Sequence, residues 1–428
     1  MHVYQMNPQL NAQRAQLRVT DENVSQAMSG YRPQLSAALS AGVQALNNGL
    51  PGGGSQSATL HPRMVGVTLT QPLFNGFRTA NSVRQAESQV RSGRETLRNL
   101  EQTLFVAAVT AYMAVVADQA LVEAQRANVA ALRQILESTR TRLDAGDVTP
   151  TDVYQAEARL NRGLADLNAA EVQLAIDQAT YRQVVGVPPG RLSAAEPIDR
   201  LLPHAREGAV AIATREHPSV AGAMYDVDAA EAAIKVAEGS LMPNLSAQGS
   251  ASHSVDTDQT LGTTRTDQAS ITAQATVPIY DGGLAASQVR QAKETLAQSR
   301  LVLDQARRQI EQAVTTAWVM NEGAKTAIRA GEAEVRASTS ALEGVRKENL
   351  AGARTLIDVL NAQQDLMAAR ARLIQAQRDR VVASYTLLAA IGRLDHKRLA
   401  LSTPDYEAQT HYFQVRDAWH GLRTPSGQ

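Results

Sequence analysis

Apolar residues recur along this chain at two periods, and the switches between them divide it into elements. From Arg78 to Leu143 the period is seven. Val83, Val90, Leu97, Leu104 and Ala111 form one line, and Ala86, Gly93, Leu100, Ala107 and Ala114 form the line three residues on. Such spacing predicts helices packed as coiled coils, and small side chains at the contact positions predict close approach. After Ala111 the line steps by four and continues through Val115, Val122, Val129, Leu136 and Leu143, a stutter that changes the local supercoil. A helix over 78–144 would be roughly 100 Å long at 1.5 Å per residue, more than a compact domain needs. Ahead of it, and after a helix over 8–30, the period is two. Leu35, Ala37, Leu39, Ala41, Val43 and Ala45 alternate with mostly polar or small residues, and Val65, Val67 and Leu69 alternate with Gly66, Thr68 and Thr70. These patterns predict strands over 31–46 and 62–73. The segment 47–60 between them reads as a flexible loop by composition.

The whole pattern then returns, displaced by about 206 positions. Repeat one (1–186) ends with a helix over 150–185. Residues 187–216 are a linker with a short helix. Repeat two (217–392) holds a helix over 218–239, strands over 243–255 and 268–279 around the polar loop 256–267, a long helix over 283–350 and a helix over 355–391. A tail, 393–428, has no repeat partner. The helical stretch Pro203–Arg215 before His217-Pro218 has no counterpart before Asn7-Pro8, so a leader and a short helix are expected ahead of this start in the precursor. Each repeat turns a helical hairpin at a glycine, Gly146 or Gly352. Thr149-Pro150-Thr151-Asp152 and Thr355-Leu356-Ile357-Asp358 then open the next helix with a Thr-x-x-acid cap.

Composition narrows the function classes. Acidic and basic residues balance at 42 each, which gives no electrostatic case for nucleic acid. There is no cysteine, so disulfides and thiolate metal sites are excluded. The histidines are scattered without metal-ligand spacing, Pro51-Gly52-Gly53-Gly54-Ser55 lacks the lysine of a phosphate loop, and no Gly-x-Ser-x-Gly elbow occurs. No enzyme, cofactor or metal is therefore expected. Tyr112 and Trp318 are equivalent in the repeat and fall at helix-packing positions. No unbroken apolar run reaches 18 residues, which excludes a membrane-spanning helix and leaves a membrane-spanning strand open. Four strands with one apolar and one polar face cannot close by themselves: a small barrel needs about eight, and lipid tolerates no open edge. A barrel shared by identical subunits would have 8 strands from two chains, about 12 from three or 16 from four, and strand count does not choose among them. A soluble four-stranded sheet packed on helices is the alternative, although the heptads leave no layer to cover its apolar face.

The strand–helix junctions TQPLFNGF (70–77) and TVPIYDGG (276–283) resemble those of the TolC family of outer-membrane efflux proteins. So do Val83-Arg84-Gln85-Ala86, Val289-Arg290-Gln291-Ala292, GARTLIDVLNAQQ (352–364) and the tail segment HYFQVRDAWHGL (411–422), in register from about Asn7 to Gly392. The resemblance implies an α+β membrane protein: a trimeric 12-stranded β-barrel, four strands per chain, continued by a long α-helical periplasmic tunnel. It implies export of drugs or proteins as a passive duct in a tripartite efflux pump or type I secretion system, with a periplasmic adaptor (membrane fusion) protein and an inner-membrane ABC or RND transporter as partners. Transferred residue by residue, Asp358 supplies a ring carboxylate at the periplasmic gate, and three such groups should raise one another's pKa. Asn361 stands where a guide member of the family has a second aspartate. Arg354 matches the arginine that ties the inner hairpin to its neighbour through Thr151 and Asp152, and Asn349 replaces the tyrosine that assists it. That gate should be less acidic than its relatives', and the inequality of the tips suggests that the second moves while the first holds. Gly146, Asp147, Gly352 and Ala353 match the tips that meet the adaptor. Tyr31, Phe74, Phe77 and Tyr280 would form an aromatic girdle at the outer-membrane lipid interface. Competing readings are a soluble periplasmic coiled-coil scaffold and a diffusion porin.

Overall fold

In a computed structural model the described residues are 2–49, 55–258 and 262–425. They fall into two compact units. One gathers Met1–Ala15, Arg94–Gly222 and Asp304–Tyr406, and the other Gln16–Gly93, Ala223–Leu303 and Glu407–Gln428. Each unit therefore draws on both sequence repeats.

The helices follow the apolar pattern closely. They are α1 (His2–Met6), α2 (Pro8–Met28), α3 (Arg78–Asp144), α4 (Pro150–Val185), α5 (Arg206–Glu216), α6 (Pro218–Gly239), α7 (Leu284–Leu350), α8 (Leu356–Ala390) and α9 (Ala408–Val415). Along α3 the predicted line is the buried one: Val90, Leu97, Leu104, Ala111, Val115, Val122, Val129 and Leu136 are all buried. The equivalent line in α7 is only half covered at Val289, Leu296, Leu303 and Ile310 and becomes buried at Ala317. One 18-residue window of α3 reaches a mean hydropathy of 1.7, so that helix is apolar and long enough to cross a membrane. The sequence reading, which looked for an unbroken apolar run, excluded such a helix and is corrected here. Part of this apolar surface packs inside the unit, where Ala111 and Val115 meet Tyr181 and Leu174 of α4.

The strands depart further from expectation. Six strands form one sheet among the described residues: β1 (Gln34–Ala41), β2 (Gln44–Gly49), β3 (Ser55–Leu60), β4 (Arg63–Asn75), β5 (Asn244–Asp258) and β6 (Gly262–Thr276). A 3-10 turn at Ser29–Tyr31 delays the first strand to Gln34. That strand then breaks at Gly42-Val43, opposite a break at His61-Pro62, with the Gly42 amide donating to the Pro62 carbonyl at 3.0 Å. The expected flexible loop over 47–60 is largely a paired hairpin, in which Gln44 faces Leu60 and Asn47 faces Ser57. Backbone pairing needs no apolar side chain, so polar composition concealed it; residues 50–54 lie outside those described. Likewise β5 and β6 run well into the expected loop 256–267, up to the pair Asp258 and Gly262. The pieces compose a meander of four long strands: β1 pairs β4, β4 pairs β5 and β5 pairs β6, all antiparallel.

Side chains on one face line up in rows across this sheet. Leu35–Leu69–Gly249–Ile271 and Ala37–Val67–Ala251–Ala269 are apolar. The opposite face carries Gln34–Thr70–Gln248–Thr272 and Ser36–Thr68–Ser250–Ser270, with the Ser250 and Ser270 hydroxyls bonded at 2.9 Å.

The duplication is visible in packing chemistry as well as sequence. In repeat one, Asn7 caps α2: its Oδ1 accepts from the Gln9 and Leu10 amides, and its Nδ2 donates to the Val184 carbonyl. His217 does the same for α6, its Nδ1 accepting from the Ser219 amide at 3.1 Å and its ring bonding the Ala389 carbonyl. Next to it Gly392 has φ +84, and a Cβ there would lie 2.7 Å from the His217 Cα, so only glycine fits. Helix α1 occupies the place before Asn7 where the sequence reading found no counterpart of the helix ahead of His217.

The capping imidazole must stay neutral. Burial, then the nearby Arg98 charge, hold the His217 pKa at about 4, against its ordinary 6.5 and in spite of the bond to Ala389. The unfolded chain therefore binds the extra proton between those values, so stability falls as pH drops from 6.5 to about 4. The loss should approach about 3 kcal/mol. His217→Asn, which copies repeat one, should remove that part of the pH dependence in thermal unfolding of the detergent-solubilised protein; identical pH profiles would refute the assignment.

Candidate functional site

The hairpin tips are built by local rules. In the α3–α4 tip, Gly146 has φ +85, its amide donates to the Leu143 carbonyl, and the Asp147 amide donates to that of Arg142, each at 2.9 Å. In the α7–α8 tip, Gly352 has φ +76, its amide donates to the Asn349 carbonyl at 3.1 Å, and that of Ala353 to Glu348 at 2.9 Å. This is the Schellman arrangement, which satisfies the last helix carbonyls and favours a glycine. Gly146, Asp147, Gly352 and Ala353 are all exposed.

Both candidate gate aspartates act as caps inside their own hairpins. The Asp152 carboxylate accepts from the Thr149 amide at 3.0 Å and hydroxyl at 2.9 Å, and Asp358 accepts from the Thr355 amide at 3.1 Å and hydroxyl at 2.8 Å. Hydrogen bonds from the Thr355 hydroxyl and amide, with a smaller contribution from the Arg354 charge, hold the Asp358 carboxyl below the usual carboxylate range. That direction is opposite to the one expected of a carboxylate ring, because within one chain the cap dominates. Arg354 has a partner of its own within the chain. Its Nε bonds Glu348 of the same hairpin at 3.1 Å, and Thr151 and Asp152 are not its partners within the chain. Six residues separate the pair across a tight turn, so Glu348 is simply nearer.

A different set of side chains joins the two hairpins. Arg159 of α4 donates to the Asn361 Oδ1 at 2.8 Å and also to Gln364, both on α8. Buried Gln363 accepts from Arg346 of α7 at 3.0 Å and donates to Asn128 of α3 at 2.9 Å, so its amide bridges the hairpins. At the tip end Arg142 reaches Asn349 at 3.4 Å. Beneath these polar links Leu132, Leu136 and Ala156 of the first hairpin bury against Leu356 and Leu360 of the second. Asn361 is thus the acceptor of an inter-hairpin arginine. The sequence reading missed Arg159 because its partner lies about 200 positions away and no local spacing rule points to it.

The girdle candidates belong to the other unit. Phe74 and Phe77 meet edge to face at 5.2 Å, and Phe77 holds φ +60 beside Gly76. Phe77 and Tyr280 are exposed, as is half of Tyr31, whose carbonyl accepts from Gln71 at 3.0 Å. Trp419, with Arg32 stacked 5.0 Å above its ring, adds an exposed aromatic that was overlooked. The tail returns to this unit through Tyr412, which packs on Val24, Ala86 and Val90, and through His411, bonded to Asp21 at 3.0 Å.

The family model described as outer membrane efflux protein matches residues 2–187 and 210–393, which is each sequence repeat in turn. The chain belongs to that family. Family members are outer-membrane channels, and this chain is an outer-membrane efflux channel protein whose helical hairpins extend into the periplasm. It is 40% identical over 427 residues to the outer membrane efflux protein BepC of Brucella suis biovar 1 (strain 1330), covering 99% of this chain and 91% of that one. It is 26% identical to the alkaline protease secretion protein AprF of Pseudomonas aeruginosa (strain PAO1) over 64% of this chain and 58% of that one. Among solved structures, the Campylobacter jejuni CmeC outer membrane channel has the same fold, with a TM-score of 0.81 at 13% identity, covering 97% of this chain and 88% of that one.

The caps and the inter-hairpin links can be separated by experiment. Asp358→Ala removes the cap of α8 and should raise amide hydrogen exchange over residues 356–359 by about fivefold, the loss of roughly 1 kcal/mol of capping. Exchange in α4 should be unchanged. Protection equal to that of the wild type would show that the carboxylate does not cap.

Proposed function

We propose that three copies of this chain close one twelve-stranded barrel and a helical tunnel, forming a passive duct. The single observation behind this reading is the sheet edge. Among the described residues β1 pairs only β4 and β6 pairs only β5, while one face of the sheet is apolar. Edges of that kind need partners in lipid. Two copies would give a barrel of about eight strands, whose interior side chains fill, so a duct needs at least three. The half-covered line of α7 supports the same reading, since further copies would cover it.

The exposed tips Gly146, Asp147, Gly352 and Ala353 dock a periplasmic adaptor, which couples the duct to an inner-membrane ABC or RND transporter as its energy source. Efflux in the name of BepC and protease secretion in that of AprF support export of small molecules or of proteins. The gate lies at the hairpins. Asp358 faces the other copies with its free charge, Arg354, Asp152 and Thr151 meet between copies, and within each chain Arg159 holds the second hairpin to the first through Asn361. Opening swings α7–α8 away and breaks the Arg159, Gln363 and Arg142 links together.

Cross-linking in detergent should give a trimer. In planar bilayers Arg159→Ala should raise open occupancy about fivefold, from the loss of roughly 1 kcal/mol of exposed charge-assisted bonding. Arg354→Ala should also raise conductance, because it removes the link to Asp152 and Thr151 of the neighbouring copy, whereas within one chain its side chain bonds Glu348. Trimers whose conductance is unchanged in both variants would leave the duct standing and remove the gate.

A further inference from the structure

Two rows above the apolar band the sheet changes character. The third row is Leu39–Val65–His253–Asp267 and the fourth is Ala41–Arg63–Val255–Arg265. Paired residues of antiparallel strands point to the same face. The His253–Asp267 hydrogen bond, 2.5 Å long, shows that this holds here. Arg63 and Arg265 therefore project from the apolar face, both exposed, on either side of Val255. With strands about 4.8 Å apart, their backbones lie roughly 10 Å from one another. One anion between them is within reach of both side chains.

Two hollows on the same face continue this row. Leu39, Ala41, Arg63, Val65, His253 and Val255 line a shallow hollow of about 440 Å³. A second of about 440 Å³ runs between Val67, Leu69 and Ile271, floored by Gly249, whose missing side chain leaves it open. Gly249 lies in the first row, three rows and roughly 20 Å along the strand from Val255, a distance suited to an extended acyl chain. The row of arginines is also the last before the bend at Gly42-Val43 and His61-Pro62, at the end of the sheet remote from the helices.

We propose that Arg63 and Arg265 bind the phosphate of an anionic lipid headgroup in the outer leaflet, with an acyl chain seated in the groove over Gly249. The proposal rests on the apolar face being the lipid-facing one. Paired cations one row beyond the His253–Asp267 pair, on the same face as the apolar hollow over Gly249, match the charge and layering of such a lipid, whereas a free anion would use only the upper half.

The test is native mass spectrometry of the detergent-extracted oligomer mixed with phosphatidylglycerol, phosphatidylcholine or inorganic phosphate. Phosphatidylglycerol should be retained about 25-fold over phosphatidylcholine, since each of the two arginines near an anionic surface contributes a factor of about five. Arg63→Gln with Arg265→Gln should abolish the preference. Gly249→Val, which fills the groove and leaves charge unchanged, should weaken retention of both lipids. Equal retention of the two lipids by the wild type would overturn the proposal. So would displacement of phosphatidylglycerol by millimolar phosphate, which indicates an anion site without a lipid. Should the double variant not assemble, retention by the wild type and by Gly249→Val decides. Reconstitution into phosphatidylcholine vesicles is a separate control: failure to insert would refute the lipid-facing reading itself, while insertion without lipid preference would refute only the site.

Discussion

A strand in hydrocarbon has no water to satisfy its amides and carbonyls, so each must pair on both sides. That requirement governs this chain. It builds four long strands, in the order of a meander, and leaves the outer sides of β1 and β6 unpaired among the described residues. A chain built in this way is one part of a larger closed object. The same incompleteness recurs in the helices, where α3 buries its heptad line against its own chain and α7 leaves the equivalent line half covered. Both features place the remaining partners on other copies, and both are properties of one polypeptide.

Duplication supplied two copies of the unit of helix, two long strands and helical hairpin, and the two have been put to different uses. Asn7 and His217 cap equivalent helices with different chemistry. The amide is indifferent to pH, whereas the imidazole must remain neutral and is held so by burial. The tips diverged in the same way. Their glycine turns and Thr–Asp caps are nearly superimposable in bonding, yet the second adds the Arg354–Glu348 pair. What joins the two hairpins is not duplicated. Arg159 reaches from the first to the second, and Gln363 uses both ends of one amide to bridge them. A partly exposed polar connection is easier to break and remake than a deep apolar core.

Much of the architecture was legible because its causes are local. The long helices follow from heptads, and their ends from Gly146, Gly352, Thr149 and Thr355, so the bounds of α3, α4 and α6 agree with the periodicity to within a residue. Strands were read only where apolar and polar residues alternate. The Asn- and Ser-rich hairpin of β2 and β3 was read as a loop, because in water a ladder can form with no hydrophobic signature. The site was legible in its caps and not in its links. Asp152 and Asp358 were marked by a short spacing rule, whereas Arg159 has no sequence neighbour that betrays its role.

By itself, the sequence determined the periods, the helix ends and the two-faced strands, since each arises from interactions within a few residues, and the duplication, which is self-similarity that needs no fold to be seen. Tertiary structure alone decided which side chains meet across hairpins: Arg159 with Asn361, and Gln363 with Asn128. It also decided that Arg63 and Arg265 share one row of one face. Pairing of residues hundreds of positions apart depends on register and packing, and no local pattern encodes either.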